Sequence, residues 1–483
     1  MAFGDTTPPD VTGMERGKVV PMSSALHIPH IVLDSLRAER GGNTGVEERQ
    51  ERRLRDLVAF ARTASPYFRR RYAGVPTGVA ELNRLPPVTK SDLMAHFDEW
   101  VTDPAVTLDV LRRDFLADSD RVGERYLGRY HAMTTSGTTG EPAVLLHDQD
   151  SWNVMMVMLR LRIRWALRSR KLVAALALRG FRVAALFAGG GHLGANVLVE
   201  SARRSAPALA RRIRLLSVQR PLADLVAELN DFQPTMLNGY PSATALLARE
   251  QAEGRLRISP VLAQVAGEHL TPAMHSLIEE VWPCRVIPSY AASEVPGLAF
   301  PCKMGTLHVN ADWYVIEPID ELGRPVPPGT TSHSALVTNL ANRVQPVIRY
   351  DLGDRIRIGT EACSCGSPLP TVTVQGRTDD VLTFDSATGA AVTVLPLAIG
   401  ALVEGIAGVH RFQLIQTGRT ELTVRLESQP GAEQAVVRTA IDQRVQQFLS
   451  EQGAVDVQLV HDARPPEQQH HSGKLRHVYR AWH

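Results

Sequence analysis

From Val173 onward, short apolar runs alternate with stretches of helical spacing. Val183-Ala-Ala-Leu-Phe187 leads to Gly189, Gly190 and Gly191. Ile213-Arg-Leu-Leu-Ser217 runs into a helical stretch around Leu222 to Leu229. Thr235-Met-Leu237 ends at Asn238-Gly239, Val261-Leu-Ala-Gln-Val265 ends at Gly267, and Val286-Ile-Pro-Ser-Tyr290 follows Trp282. This rhythm of strand, loop and helix predicts an α/β fold, a sheet with helices packed on it. Ligands of such sheets sit beyond the carboxyl ends of the strands, where these loops fall.

Around that section the texture differs. Residues Met1 to about Ser24 read as a flexible arm with prolines and polar residues. Thr44 to Arg71 has helical spacing, with Leu54, Leu57, Val58 and Phe60 on one side. Pro86-Pro87 and the polar run Thr89 to Asp92 resemble a loop entering a helix, with Ser91 as the expected N-cap. Past Asp312, the segments Tyr314–Glu317, Ser334–Asn339, Val347–Tyr350 and Arg355–Ile358 read as strands joined by turns. The last section holds the strand-like runs Phe412–Gln416, Glu421–Leu426 and Val455–Val460 and a helical run near Gln434 to Leu449. With 483 residues, the expected division is an arm over 1–24, a large multi-sheet α/β domain over 25–375 and a small α+β lid over 376–483.

The 53 basic and 51 acidic side chains leave a net charge of +2, which gives no electrostatic footprint for nucleic acid. The most apolar stretch, Leu172 to Val199, is broken by Arg179, Arg182 and three glycines, so no membrane span is expected. The first residues lack the apolar core of a signal peptide, and 4 cysteines do not make a disulfide framework. A cytoplasmic protein is expected, as a monomer or homodimer.

The densest chemical signal is Thr134-Thr-Ser-Gly-Thr-Thr-Gly140-Glu141-Pro142. Glycines let backbone N–H groups approach a phosphate, and hydroxyls add donors. The Walker lysine is absent, since Glu141 follows Gly140. This loop resembles the phosphate loop of the adenylate-forming superfamily of acyl-CoA synthetases and adenylation domains. Four more segments match that family in order: Tyr290-Ala-Ala-Ser293-Glu294, Tyr350-Asp-Leu-Gly-Asp354, Gly376-Arg377-Thr-Asp379-Asp380 and Ser472-Gly473-Lys474. Within the superfamily, the loop ending Glu-Pro-Ala, together with Asn238-Gly-Tyr-Pro-Ser242, Ala266-Gly-Glu268 and Gly305-Thr-Leu-His-Val-Asn310, is similar to the phenylacetate–CoA ligase branch.

The resemblance implies an ATP- and Mg²⁺-dependent ligase that converts a carboxylic acid to its acyl-adenylate. It places ATP or AMP on Thr135, Ser136, Gly137, Thr138, Thr139, Gly140, Gly267, Glu268, Tyr290, Ser293, Asp354 and Arg377. Glu294 offers a hard oxygen ligand for Mg²⁺, Tyr290 a flat face for adenine, and Asp354 an acceptor for ribose hydroxyls. Lys474 is the implied catalytic cation beside the α-phosphate, with Arg377 donating to the sugar and Asp379 as the hinge of the lid. Tyr240, Ala291 and Ala292, with Gly267, are the expected acyl pocket, of a size for an aryl acid. His192, closing a likely strand after three glycines, either faces that pocket or caps a turn. The implied acceptor is coenzyme A. An amine, a carrier-protein thiol, or activation of nitrite to diazotise an aryl amine, as in natural-product pathways, stays open.

The cysteines form a second group. Cys363-Ser-Cys365 lies in one polar loop, and Cys302 with His308 in another. Two pairs of soft ligands suit a tetrahedral structural zinc. The alternative is three unlinked thiols and a surface histidine. Cys284 has no nearby partner and reads as core.

Overall fold

The computed structural model describes residues 26–76, 82–135, 142–268, 270, 272–374, 382–388, 390–394, 396–467 and 477–481. The arm over 1–24 lies outside them.

Helical spacing over 44–71 produces two helices rather than one, Gly42–Ala64 and Pro66–Arg71, preceded by Ile28–Arg40. The break is set by Pro66, which disfavours helical backbone at the residue before it. Ser65 takes φ −102° and ψ 117°, and its hydroxyl accepts from the Phe68 N–H as an N-cap. Leu54, Leu57, Val58 and Ala61 are buried along one face; Phe60 is half-buried under the Arg343 guanidinium. The helix Lys90–Ala95 is capped by Thr89, not by the expected Ser91. The Thr89 hydroxyl accepts from the Asp92 N–H, three residues on, as an N-cap must.

Strands β1 (Arg125–Tyr126), β2 (Tyr130–Thr134) and β3 (Val144–His147) form an antiparallel sheet. Strands β4 (Val183–Phe187), β5 (Ile213–Ser217), β6 (Met236–Gly239), β7 (Leu262–Val265) and β8 (Arg285–Pro288) form a parallel sheet in the order β5-β4-β6-β7-β8. The alternation in the sequence is thus realised, with helices Gly194–Ser205, Leu222–Phe232, Pro241–Ala252 and Pro272–Val281 as crossovers. The chain leaves β4 toward β5 on one side and returns to β6 on the other, so the topological switch lies between β4 and β6.

Next come β9 (Tyr290–Ala292), β10 (Val295–Pro301) and β11 (Leu307–Val309), then β12 (Tyr314–Ile319), β13 (Ser334–Asn339) and β14 (Val347–Asp351), each an antiparallel three-stranded sheet. Two-stranded ribbons follow, β15 (Ile356–Ile358) with β16 (Val372–Val374) and β17 (Leu382–Asp385) with β18 (Ala391–Val394). The last sheet joins β19 (Val409–Gly418), β20 (Glu421–Ser428), β21 (Gln458–Asp462) and β22 (Val478–Arg480) in the order β21-β20-β19-β22, beside helices Pro396–Glu404 and Gln434–Glu451. Here β21 starts at Gln458 rather than Val455, because the Val455 N–H is already engaged by the Asp385 carbonyl.

Two large cores result. One packs the N-terminal helices against β2, β3, β10 and β12 to β14. The other runs from the parallel sheet into the C-terminal layer, joining Leu186, Leu237 and Leu247 with Phe384, Ile399 and Phe448. A polar link crosses the same junction, from Gln219 Nε2 to the Ala398 carbonyl at 3.3 Å. Among the described residues no helix is long and apolar enough to cross a membrane.

Candidate active site

The switch point is closed by aromatic and glycine residues. Tyr240 follows β6 directly; its ring meets Phe187 edge-on at 5.2 Å, and its hydroxyl accepts from the Ala188 N–H at 3.3 Å, bridging the crevice. Gly267, after β7, has φ +86°, and a Cβ there would lie 3.0 Å from the Tyr240 ring. The position needs glycine on both counts. Burial pushes the Tyr240 hydroxyl up to about 12, and the Glu268 carboxylate adds to the effect, which places Glu268 at the same rim.

The base of the Ser/Thr/Gly-rich loop that begins at Thr134 lies against this crevice. Thr135 closes the loop's stem: its N–H donates to the Ala143 carbonyl at 3.0 Å, and its hydroxyl accepts from the Ala143 N–H at 2.9 Å. The Thr134 N–H donates to the His192 carbonyl at 2.7 Å, joining the stem to the loop after β4. The His192 ring itself is buried 5.0 Å from Phe115, and burial pushes it below its ordinary titration range. Ser136, Gly137, Thr138, Thr139 and Gly140 lie outside the described residues.

Tyr290, Ala291 and Ala292 form β9, and Ser293-Glu294 is the two-residue turn into β10, closed by the pair Ala292–Val295. The Tyr290 hydroxyl donates to Asp354 Oδ2 at 2.9 Å. Glu294 is buried. Burial pushes its carboxyl above the usual range; the Tyr350 hydroxyl bonded to it, and the Lys90 charge more weakly, oppose the rise. The Ser293 hydroxyl lies 3.1 Å from the Cβ position of Gly194, at the N-terminus of helix Gly194–Ser205. Tyr290, Glu294, Tyr350 and Asp354, separated by up to 64 residues, are therefore one cluster. Arg377, Asp379 and Lys474 lie outside the described residues.

Two residues near this cluster, Lys90 and His147, lie outside the motifs that mark it in the sequence. Lys90 reaches it because Val88 runs beside β14: the Val88 N–H donates to the Arg349 carbonyl and the Val88 carbonyl accepts from the Asp351 N–H. His147, at the end of β3, has its Nε2 2.8 Å from the Ser293 carbonyl. A polar residue ending the apolar run Val144-Leu-Leu is the single hint that His147 has a partner inside.

The cysteine group is also assembled. The ligand atoms of Cys302, His308, Cys363 and Cys365 all lie within 4.8 Å of one another. Cys302 and Cys363 sulfurs are 3.9 Å apart, and Cys365 Sγ is 3.5 Å from His308 Nε2. A tetrahedral zinc with Zn–S about 2.3 Å and Zn–N about 2.0 Å has edges of about 3.8 Å and about 3.5 Å. The His308 Nδ1–H donates to the Leu369 carbonyl at 2.7 Å, which leaves Nε2 as the free lone pair. Backbone N–H groups of Met304 and Ser367 each donate to a cysteine sulfur at 3.3 Å. The Cys365 N–H holds the Cys363 thiol below its ordinary range, whereas burial raises Cys365. The residues fit a metal of zinc's size. Cys284 is half-buried against the second core, its thiol pushed up to about 12 by burial.

No protein-family model matches the chain. The phenylacetate–coenzyme A ligase of Thermus thermophilus is 27% identical over 383 residues, 74% of this chain and 75% of that protein. Protein CapK of Staphylococcus aureus is 28% identical over 138 residues, 28% of this chain and 29% of that one. Among solved structures, 2-hydroxyisobutyryl-CoA ligase with its acyl-adenylate and CoA, in the thioester-forming state, superposes with a TM-score of 0.58 at 22% identity, covering 92% of both chains. The same enzyme in its post-adenylation state gives 0.53 at 20% identity, covering 92% of this chain and 91% of that one. By sequence and by fold together, the chain is a homologue of phenylacetate–CoA ligase built on the fold of the adenylate-forming CoA ligases.

Proposed function

We propose that this chain activates an aryl-type carboxylic acid with ATP and passes the acyl group to the thiol of coenzyme A. The observation that carries the reading is the Tyr290–Glu294–Tyr350–Asp354 cluster at the carboxyl edge of the parallel sheet, beside the stem of the phosphate loop.

In the first step a carboxylate oxygen of the acid attacks the α-phosphorus. The bond from that phosphorus to the bridging oxygen breaks, and pyrophosphate leaves with the electron pair. Asp354, oriented by the Tyr290 hydroxyl at its Oδ2, is the acceptor for the ribose hydroxyls. Tyr290 offers its ring to adenine. Glu294 is the residue to hold Mg²⁺, which supplies charge neutralisation across the phosphates. Lys474 and Arg377 stabilise the negative charge that builds at the α-phosphate. Tyr240, Gly267, Ala291 and Ala292 shape the acyl pocket. In the second step the residues from 376 onward rotate about Asp379, withdrawing Lys474. The thiolate then attacks the acyl carbon, and AMP leaves. The relative's name, phenylacetate–coenzyme A ligase, supports both an aryl acid and CoA. The Cys302–His308–Cys363–Cys365 group would hold a structural zinc, which would clip the β10–β11 hairpin to the loop before β16.

The test is pyrophosphate release with Mg·ATP across aryl, cinnamyl and aliphatic acids and nitrite, with and without CoA. Release with one aryl acid and a CoA adduct by mass is the expected result. Release without an adduct, or with nitrite, keeps the adenylation and replaces the acceptor or the acid. Lys474→Ala is expected to cripple release while ATP still binds; unchanged release removes Lys474 from the chemistry.

A further inference from the structure

Each carbonyl of the Ser293-Glu294 turn is held by one buried side chain, and the two come from different sheets. Asn339, on β13, donates from Nδ2 to the Glu294 carbonyl at 3.0 Å. Its Oδ1 accepts from the Ala341 and Asn342 N–H groups at 3.1 and 3.3 Å, so its orientation is fixed. His147, on β3, is 1% exposed, with Nε2 2.8 Å from the Ser293 carbonyl and Nδ1 2.7 Å from the Ser151 hydroxyl. A carbonyl only accepts, so the ring proton sits on Nε2, and Nδ1 accepts from Ser151. Both ring nitrogens are satisfied by the neutral ring, and burial keeps it neutral, pushing its titration down to about 4.

The position of His147 in the chain gives this bond a consequence. Strand β3 is the exit of the phosphate loop, pairing with β2 through Thr134–Val144 to His131–His147. The entry, Thr134, is bonded to the His192 carbonyl. The loop's exit strand therefore ends on the turn that carries Glu294. We propose that His147 is a positioning residue: through the Ser293 carbonyl it sets the backbone of the turn and thereby the direction of the Glu294 carboxylate, which would hold Mg²⁺. This rests on the reading of Glu294 as the Mg²⁺ ligand. Partners of a metal ligand commonly change metal affinity about 10-fold or more when removed.

The measurement is ATP binding by calorimetry, with and without Mg²⁺, which needs no knowledge of the acid. The readout is the gain in ATP affinity that Mg²⁺ brings. His147→Leu is expected to lose about 10-fold of that gain while metal-free ATP affinity stays within about 2-fold. His147→Gln keeps an N–H donor near the Nε2 position and is expected to restore most of it. Ser151→Ala, which releases only Nδ1, is expected to lose about 3-fold and serves where His147→Leu does not fold. A folded His147→Leu or Ser151→Ala protein with the full gain, where Glu294→Gln abolishes it, overturns this proposal alone. Wild-type protein whose ATP affinity ignores Mg²⁺ overturns the Glu294 reading and this proposal together.

Discussion

The Tyr290 hydroxyl donates to Asp354 Oδ2 at 2.9 Å, across 64 residues of chain. The bond joins the first residue of β9 to the end of the segment after β14, and so orients the Asp354 carboxylate. Tyr290 is 8% exposed, so its ring is held by packing as well as by the bond. Tyr290→Phe keeps the ring and removes the donor. ATP affinity is expected to fall about 10- to 100-fold, the worth of one hydrogen bond to a charged group. Calorimetry measures it; an unchanged affinity means Asp354 is oriented without Tyr290.

Glu294 combines burial with hydrogen bonds from the Tyr350 hydroxyl and its own backbone N–H. A buried carboxylate carries a desolvation cost that a cation repays. Glu294→Gln preserves shape and removes the charge. Pyrophosphate release is expected to drop about 100-fold or more, with the fold intact by circular dichroism. A drop below about 5-fold takes Glu294 out of the metal site.

The zinc reading has its own test. Metal analysis is expected to find about one zinc per chain, because four soft ligands at tetrahedral spacing bind it tightly. A Cys363→Ser/Cys365→Ser protein is expected to lose the zinc and melt at lower temperature, since the clip between β10–β11 and β16 opens. Acidification is expected to release the metal from the wild type, as protons compete with it for the ligands. A stable wild-type preparation without metal sinks the reading.

The parallel sheet was legible because buried parallel strands need near-continuous apolar runs, and β4 and β5 fall on the residues their runs mark. The cysteine group was legible because Cys and His pair types survive any loop geometry. What escaped was set by non-local bonds. Lys90 has no mark of its own, because its neighbourhood is supplied by β14 some 260 residues later. The Ser65-Pro66 break was written in the sequence and is a rule of backbone sterics rather than of periodicity. His192 shows the limit of loop reading: its backbone carbonyl meets the Thr134 N–H while its ring turns to Phe115.

Glu404, at the end of helix Pro396–Glu404, makes one contribution to the pH dependence of stability. Burial pushes its carboxyl up to about 8, and the Lys90 ammonium opposes the rise. In the unfolded chain the same group titrates near about 4.3. Between those values the folded protein holds a proton that the unfolded chain has released. Its contribution to stability is therefore fully present below about pH 4, falls as pH rises, and levels off above about pH 8. Glu404 keeps some contact with solvent, so the loss should be on the order of 1–2 kcal/mol rather than the full shift. Glu404→Gln removes the titration and keeps the shape. Subtracting the wild-type from the variant melting temperature between pH 5 and 9 cancels every other group. The difference is expected to grow with pH up to about 8, with the variant the more stable at the alkaline end. A difference that stays constant across that range means the carboxylate reaches water, or the Lys90 ammonium, well enough to ionise in the folded protein as it does in the unfolded one.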